Sequence, residues 1–198
     1  WEAGSVRRGK PGQTAEPDPT GIQIQLTVSR PDLPADSSNL AWKAAEEMIA
    51  EFGGPAGGNA KAAAGTEATD GSSKADAGTE ATDGVLTIDI QKQIPMAAGL
   101  AGGSSNCAAV LHAINQLWEL NLSVKELCRI GARLGSDVPF CIMGQAAAEK
   151  ALQGSFADDP DACHCALATG TGTDLKPLTG LDSFIVLSKP AIGVSTAE

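Results

Sequence analysis

Residues 95–105 constrain the fold of this chain more than any other part of the sequence. They read PMAAGLAGGSS, with three glycines and three alanines that leave the backbone open to close approach. A strand pattern precedes them at residues 85–90, where Leu86, Ile88 and Ile90 share one face. A helix pattern follows, and its apolar residues recur at three- and four-residue spacing: Cys107, Val110, Leu111, Ile114, Leu117 and Trp118. The sequence therefore predicts a strand, a glycine-rich loop and a helix in direct succession.

This succession is typical of anion binding. Amide groups at a helix start lack partners within the helix, and the positive end of the helix dipole favours phosphate. Small side chains let the amides surround the anion, and the hydroxyls of Ser104 and Ser105 can bond phosphate oxygens or ligate Mg²⁺. A glycine-rich turn that only lets strand and helix pack closely is the alternative, but the serine pair favours phosphate. Ser104, Ser105 and Asn106 are also candidate helix caps.

The loop differs from two common nucleotide-binding motifs. No lysine occurs between Lys92 and Lys125, so it is not a Walker A loop, and it lacks the GxGxxG spacing of dinucleotide folds. We therefore expect Mg²⁺ and the helix dipole to neutralise the charge of a bound phosphate.

Two further elements are predicted before the loop. Residues 22–28 alternate apolar and polar side chains, as a strand with one buried face does. A helix follows, with Asp36, Ser37 or Ser38 as its cap. This helix ends at Gly53, and its small and apolar positions are Ala41, Ala44, Ala45, Met48, Ile49 and Phe52.

Elements beyond the loop are less regular. Ser123 and Glu126 form a capping box for a helix whose apolar side carries Leu127, Ile130 and Leu134. Residues 136–143 are predicted to be a short turn entering an apolar strand, and residues 183–188 a further strand. Residues 145–175 show no clear pattern.

Two segments lack apolar periodicity altogether. Residues 1–20 are polar, basic and rich in glycine and proline, and we expect an unstructured lead there. Residues 54–84 contain no Val, Ile, Leu, Met, Phe or Trp and hold the octet AGTEATDG twice. Because such a segment cannot offset the entropy of ordering, we expect a flexible surface insertion.

Composition narrows the function classes. The formal net charge of −10 argues against a nucleic-acid-binding surface, which needs clustered cations. No apolar run approaches the roughly 20 residues of a membrane span. We therefore expect a cytoplasmic enzyme without nucleic-acid or membrane partners, and its oligomeric state stays open.

The cysteines do not predict a disulfide framework. Five of them, an odd number, lack the spacing of small secreted domains, and we expect reduced thiols. Cys163, His164 and Cys165 offer three soft metal ligands. Alternate positions of one short segment rarely close a zinc site without a second ligand pair, so a loop without special chemistry is favoured.

Two motifs together resemble a known family. Residues 95–106, PMAAGLAGGSSN, resemble the ATP-binding loop P-x-x-x-G-L-x-G-G-S-S of the GHMP kinases. Residues 134–140, LGSDVPF, are similar to the G-[SA]-D-[VI]-P segment of the 4-diphosphocytidyl-2-C-methyl-D-erythritol kinases among them. Asp137 lies 32 residues past Ser105, as that family's spacing requires. Residues 31–45 are similar to a further stretch of the same family.

The resemblance implies a fold and a site. The fold is α/β (α+β), a mixed sheet with packed helices of the ribosomal protein S5 domain 2-like type seen in GHMP kinase N-terminal domains. Asp137 is implied to be the catalytic carboxylate, which accepts or orients the proton of the substrate hydroxyl. Mg²⁺ is implied beside Ser105, and Lys43 is either solvated or a further ATP contact. ATP is implied to lie against Pro95, Met96, Ala97, Ala98, Gly99, Leu100, Ala101, Gly102, Gly103, Ser104, Ser105 and Asn106.

The resemblance also implies a reaction. ATP would phosphorylate the 2-hydroxyl of a small diphosphocytidyl alcohol, 4-diphosphocytidyl-2-C-methyl-D-erythritol, in non-mevalonate isoprenoid (terpenoid) biosynthesis. Another GHMP small-molecule kinase, of the homoserine or mevalonate type, is one alternative. A catalytically incompetent nucleotide-binding fragment is the other.

The chain departs from that family at both ends. The family begins with a strand carrying a Lys-x-Asn pair, followed by a D-G-Y-H segment that holds cytidine. Here residues 1–20 offer only Lys10 in Gly-Lys-Pro-Gly, and tyrosine is absent from the chain. We expect residues 21–198 to form the N-terminal ATP-binding domain of an incomplete enzyme. The C-terminal GHMP domain is expected to be absent, so we do not expect catalytic turnover from this chain alone.

Overall fold

The structure is a computed structural model that describes residues 4–9, 21–55, 84–152, 154, 156, 158–180 and 183–189, with the backbone alone for residues 4–9. Nine elements follow one another in this part of the chain: β1 (Gly4–Gly9), β2 (Ile22–Val28), α1 (Leu40–Phe52), β3 (Gly84–Ile90), α2 (Gly102–Leu117), α3 (Val124–Leu134), α4 (Val138–Ala151), β4 (Ala166–Thr169) and β5 (Asp174–Pro177).

The strands form a mixed three-stranded sheet and a separate hairpin. In the first sheet β3 lies between β1 and β2. β2 runs parallel to β3 with Ile24 opposite Leu86, and a parallel pair needs a crossover such as the one that contains α1. β1 runs antiparallel to β3, and β4 pairs with β5 in the hairpin. The mixed sheet and its helices confirm the predicted α/β (α+β) class.

The core lies between the sheet and the helices. The predicted face of β3 is buried, as Ile88 is only 1% exposed. Opposite it, α1 packs on α2, while α4 packs on both α2 and α3. Each fully buried apolar side chain contributes about 1.5–3 kcal/mol to the stability of the fold. The largest of them include Met48, Ile49, Leu111, Ile114, Leu127, Ile130 and Ile142. The core therefore holds the loop before α2 between a buried strand and a buried helix.

Helix starts and ends agree with the sequence in part. α3 has the predicted capping box, with Ser123 Oγ accepting from the Glu126 amide. α1 ends at Gly53, whose φ of 71° is the left-handed conformation that glycine favours. The predicted caps of α1 were wrong: Asn39 caps it, with Oδ1 accepting from the Ala41 amide at 3.0 Å. Asp36 instead accepts from the Ser38 amide, which closes the preceding turn.

The prediction that residues 1–20 are an unstructured lead was wrong for Gly4–Gly9. This segment is strand β1, and it pairs with residues 85–90 of β3. Strand addition uses backbone hydrogen bonds, so a segment without an apolar pattern can still form an edge strand. Lys10, the remaining residues up to position 20, and residues 56–83 of the expected insertion lie outside the described residues.

The predicted strand at residues 136–143 is the first half of helix α4. The buried residues come in adjacent pairs that recur every four positions, namely Val138 with Pro139, Ile142 with Met143 and Ala146 with Ala147. This is helical spacing, because adjacent residues of a strand lie on opposite faces. Pro139 lies in the first turn, where the missing amide of proline costs nothing. The short apolar run looks like a strand because the alanine-rich half of the helix carries little pattern.

The predicted strand at residues 183–188 was also wrong. Within described residues 183–189 no strand is present, and Phe184 and Val186 are almost fully exposed. Apolar, β-branched composition alone does not make a strand, because a strand needs a partner for its backbone groups. Part of the unpatterned stretch 145–175 belongs to α4 and to the β4–β5 hairpin.

No helix in the described parts of the chain combines the length and apolar character needed to cross a lipid bilayer.

Candidate functional site

A cavity of about 350 Å³ lies between the glycine-rich loop and the start of α1. Loop residues form most of its wall: Pro95, Met96, Ala97, Ala98, Gly99, Leu100, Ala101, Gly102, Gly103 and Asn106. The opposite wall consists of Leu33, Pro34, Ser38, Asn39 and Leu40, and Lys92 completes the lining. Ten of the twelve residues predicted to bind ATP therefore face one cavity.

The loop holds an unusual backbone conformation. Ala97, Gly99 and Ala101 all have positive φ, at 49°, 66° and 50°. For an alanine the left-handed region costs roughly 1–2 kcal/mol, and such strain tends to collect at functional sites. Gly99 owes its residue type to this angle, since a methyl group there would meet nothing within 4 Å. Alternating left-handed residues turn successive amides to one side, an arrangement that is typical of anion-binding loops.

The first turn of α2 presents open amides toward the end of the loop. Helix α2 starts at Gly102, so the caps predicted at Ser104, Ser105 and Asn106 were wrong, and all three residues lie inside the helix. Its N-cap, Ala101, has no side chain that could accept a hydrogen bond. The Ser105 amide is the first with a backbone acceptor, Ala101 O at 2.8 Å. In the described residues the amides of Gly102, Gly103 and Ser104 have no backbone acceptor.

Ser104 and Ser105 are not part of the cavity wall. Ser105 instead contacts α4: Gln145 Nε2 donates to the Ser105 carbonyl at 2.8 Å and approaches its Oγ at 3.3 Å. Because Oγ accepts from Gln145, the hydroxyl proton of Ser105 is directed away from that amide. This contact, which sequence reasoning missed, ties α2 to α4.

Asp137 lies at the N-cap of α4 and is exposed, and its side chain makes no capping hydrogen bond. It is not among the residues that line the cavity. Gln145 follows it by eight residues, or about 12 Å of helix. The structure thus connects Asp137 to the loop through α4 but does not bring its carboxylate into the cavity wall.

The start of α1 supplies a wall that sequence reasoning missed. Asn39 uses both ends of its amide, because Nδ2 donates to the Pro34 carbonyl at 2.8 Å and Oδ1 caps the helix. This arrangement holds Leu40 and the preceding turn against the loop. Lys43, one turn further, is exposed and lies outside the lining. The signal available in the sequence was the asparagine directly before the helical pattern.

Lys92 is the other residue that sequence reasoning missed. It lies in the connection between β3 and the loop, and its ammonium group reaches the start of α2. A methyl group added at Gly102 would lie 2.5 Å from Lys92 Nζ. A Walker A motif carries its lysine within the loop, whereas Lys92 precedes the loop of this chain.

Other reactive side chains lie away from the cavity. Burial raises the pKa of the Cys107 thiol to about 12 and that of Cys141 to about 11, so both are protonated and unreactive. All five cysteines are free thiols. Within the described residues no group of three or more His, Cys, Asp or Glu side chains is arranged to hold a metal ion, and this includes the Cys163–Cys165 segment.

Known proteins match the same region. A family model described as GHMP kinases N terminal domain matches residues 39–145. A 4-diphosphocytidyl-2-C-methyl-D-erythritol kinase from Synechococcus sp. (strain JA-2-3B'a(2-13)) is 40% identical, over 88% of this chain and 42% of its own length. One from Exiguobacterium sibiricum is 36% identical, over 89% of this chain and 46% of its own length. The chain thus spans less than half the length of these curated relatives.

A solved structure is similar as well. The crystal structure of a 4-(cytidine 5'-diphospho)-2C-methyl-D-erythritol kinase matches with a TM-score of 0.47 and 24% identity, over 88% of this chain and 41% of the other. The family model covers more than half of the chain, including the start of α1, the loop and Asp137. This chain therefore belongs to the GHMP kinase family, through that family's N-terminal domain.

Proposed function

We propose that residues 21–198 form the nucleotide-binding part of a kinase that acts on 4-diphosphocytidyl-2-C-methyl-D-erythritol. The γ-phosphoryl group of ATP would be transferred to the 2-hydroxyl of that alcohol, in non-mevalonate isoprenoid biosynthesis. Support for the substrate comes from relatives with this printed name that are 36–40% identical over most of the chain. A cytoplasmic location is part of the proposal, because the reaction consumes ATP.

The observation that carries the proposal is the loop at residues 95–105. Its left-handed residues and the open amides of Gly102, Gly103 and Ser104 offer a concave set of donors at a helix N-terminus. The apolar wall formed by Leu33, Pro34 and Leu40 suits a planar base. A nucleotide with its phosphates at the loop and its base at this wall satisfies both sides of the cavity.

Asp137 is the proposed catalytic carboxylate. An alcohol is a poor nucleophile, and phosphoryl transfer depends mainly on in-line positioning and on stabilisation of phosphate charge. A carboxylate near the γ-phosphate would accept the proton of the hydroxyl or orient it. Asp137 is exposed and uncommitted to a helix cap, so its carboxylate is available to a substrate that lies between α4 and the loop.

Mg²⁺ is proposed to enter with ATP. The described residues offer no cluster of carboxylates for a protein-held ion, and Mg²⁺ is commonly held by phosphates together with only one or two protein groups. When bound, it would neutralise the charge that develops on the phosphates. Ser105 is the proposed protein ligand of Mg²⁺. Gln145 Nε2 donates to the same hydroxyl oxygen at 3.3 Å.

The test is ADP release in a coupled assay with 4-diphosphocytidyl-2-C-methyl-D-erythritol, homoserine and mevalonate, alongside a direct measurement of ATP binding. The proposal predicts ATP binding and, with a competent chain, turnover on the first alcohol that Asp137→Asn lowers by at least about 100-fold. Turnover on homoserine or mevalonate alone would point to another GHMP kinase. ATP binding without turnover would leave a nucleotide-binding fragment, and no ATP binding would contradict the proposal.

A further inference from the structure

We propose that Gly172, in the turn of the β4–β5 hairpin, is a positioning residue for Asp137. The turn lies against the residue directly before that aspartate. This inference rests on the proposed function, since it concerns how the proposed catalytic carboxylate is held. Gly172 belongs neither to the glycine-rich loop nor to the lining of the cavity beside it.

The connection between α3 and α4 is a short exposed turn. It consists of Gly135, Ser136 and Asp137, and the Val138 amide closes it by donating to the Gly135 carbonyl at 3.2 Å. Asp137 has φ −87° and ψ −11°, the conformation of the third residue of a type I turn. Its side chain makes no capping bond, and both Ser136 and Asp137 are exposed. A turn of this kind opens easily unless a neighbouring element packs on it.

Gly172 packs on this connection. A methyl group added at Gly172 would lie 3.5 Å from Ser136 Cβ and 3.5 Å from the Ser136 carbonyl oxygen. The hairpin turn therefore lies against the connection one residue before Asp137. Gly172 has φ 93°, which glycine adopts readily, whereas a residue with a side chain is strained there.

The hairpin turn is held by its own hydrogen bonds. Thr169 Oγ1 donates to Asp174 Oδ2 at 2.9 Å, which joins the two ends of the turn. The Gly172 amide donates to the Thr169 carbonyl at 3.0 Å, and the hydroxyls of Thr171 and Thr173 lie 3.1 Å apart. These bonds fix Gly172 relative to the two strands of the hairpin.

The base of the hairpin is fixed to α4. Shortly before β4, the Cys163 amide donates to the Met143 carbonyl at 3.2 Å, and Leu175 of β5 packs against the core. Met143 follows Asp137 by six residues, or about 9 Å of helix. The hairpin therefore contacts α4 at Met143 and again, through Ser136, just before the start of the helix.

This arrangement constrains the backbone at Asp137 and leaves the carboxylate available. Phosphoryl transfer depends on in-line positioning, and a displacement of about 1 Å can slow such a reaction about 100-fold. Hydrogen bonds to the carboxylate oxygens would compete with the alcohol, whereas packing of one turn on another does not. The hairpin thus positions Asp137 without using the carboxylate that is proposed to meet the substrate.

The experiment compares Gly172→Ala with Gly170→Ala in the full 198-residue chain. Gly170 lies in the same turn and also has positive φ, 62°, but a methyl group there would meet nothing within 4 Å. Both substitutions strain the turn, and only Gly172→Ala does so against Ser136. The ¹⁵N-labelled chain is saturated with a non-hydrolysable ATP analogue and Mg²⁺. It is then titrated with 4-diphosphocytidyl-2-C-methyl-D-erythritol, while the amide shifts of Asp137 and Val138 are followed.

In the unaltered chain and in Gly170→Ala, the alcohol is expected to shift the amides of Asp137 and Val138 to saturation. Gly172→Ala should alter these two shifts before any ligand is added. It should also weaken the affinity for the alcohol by about 10-fold or more, as loss of a charge-assisted hydrogen bond does. Affinity for the ATP analogue, read from the Gly102 amide, should stay within about twofold in both variants.

Equal affinity for the alcohol in Gly172→Ala and in the unaltered chain would show that the contact does not position Asp137, and the proposed function would stand. An equal loss in Gly172→Ala and Gly170→Ala would also overturn the inference, because strain in the turn would then explain both. So would a parallel loss of affinity for the ATP analogue in Gly172→Ala, which indicates a general disturbance of the fold. If the unaltered chain binds the analogue and Asp137 does not respond to the alcohol, the catalytic role of Asp137 and this inference fail together.

Discussion

Ala97 and Ala101 place residues with a β-carbon in backbone conformations that glycine adopts more easily. Their positions in the loop could be predicted from the sequence, because small residues cluster there. Their angles could not, since alanine rarely has positive φ and nothing in the local sequence signals it. Gln145 was missed for a related reason, because it contacts Ser105 from α4, a helix that is adjacent to the loop only after folding.

The strain at Ala97 can be measured. Ala97→Gly should raise the free energy of unfolding by about 0.5–1 kcal/mol, because relief of left-handed strain exceeds the entropy that glycine adds to the unfolded chain. Urea denaturation gives the value. Ala50→Gly, at an exposed position of α1, is the control and should lower stability by about 1 kcal/mol. A loss of stability in Ala97→Gly as large as that in the control would mean that Ala97 is not strained.

Among the described residues, His112 is the buried one whose side chain has an incomplete hydrogen-bond set. Its Nε2 lies 3.1 Å from the Ile142 carbonyl, its ring meets Phe156 edge-on, and Nδ1 has no partner within the described structure. Burial lowers the pKa of His112 to about 4, partly opposed by the bond to Ile142. Between about pH 6.5 and 4 the unfolded chain therefore binds a proton that the folded chain excludes.

Stability should consequently fall as the pH falls through that window, by about 3 kcal/mol in total. His112→Leu should remove most of this slope, as followed by urea denaturation at several pH values. The second histidine, His164, is exposed, and His164→Gln should keep the slope of the unaltered chain. An unchanged slope in His112→Leu would contradict the account of this site.

At the scale of elements, the sequence predicted those strands and helices whose apolar periodicity and caps lie within their own residues. β2, β3, α1 and α3 have the expected faces, and the capping box at Ser123 is present. α4 was taken for a strand because its first turns are continuously apolar, and periodicity cannot separate a short buried helix from a buried strand. The packing of α3 on α4 decides between them.

That packing depends on Gly131 in α3. A methyl group there would lie 2.7 Å from Ile142 Cδ1 and 2.8 Å from Val138 Cγ1. Gly131→Ala should therefore lower the free energy of unfolding by about 1–2 kcal/mol, the crowding outweighing the better helix propensity of alanine. Gly144 in α4 has nothing within 4 Å of the same position.

Gly144→Ala serves as the matched control and should raise stability by up to about 1 kcal/mol, measured by urea denaturation alongside Gly131→Ala. Both glycines lie inside helices, so propensity affects them alike and only the surroundings differ. Equal effects of the two substitutions would mean that α3 and α4 do not meet at Gly131.

At the scale of the whole molecule, local patterns carry less information. The pairing of β1 with β3 joins residues about 80 positions apart, and no pattern within Gly4–Gly9 indicates it. Conversely, residues 183–189 have a strand-like composition but no strand partner in the described chain. The order of strand, loop and helix around residues 95–105 could be predicted because it is contiguous, whereas sheet partners and the α1 wall of the cavity could not.

The central claim is that the open amides at the start of α2 bind the phosphates of a nucleotide. Amide chemical shifts of the ¹⁵N-labelled chain, titrated with ATP and Mg²⁺, report on those groups directly. The account predicts that the largest shifts occur at Gly102, Gly103 and Ser104 and in the preceding loop, with smaller ones in the β4–β5 hairpin. Saturable shifts confined to other parts of the chain, or none at these three amides, would contradict it.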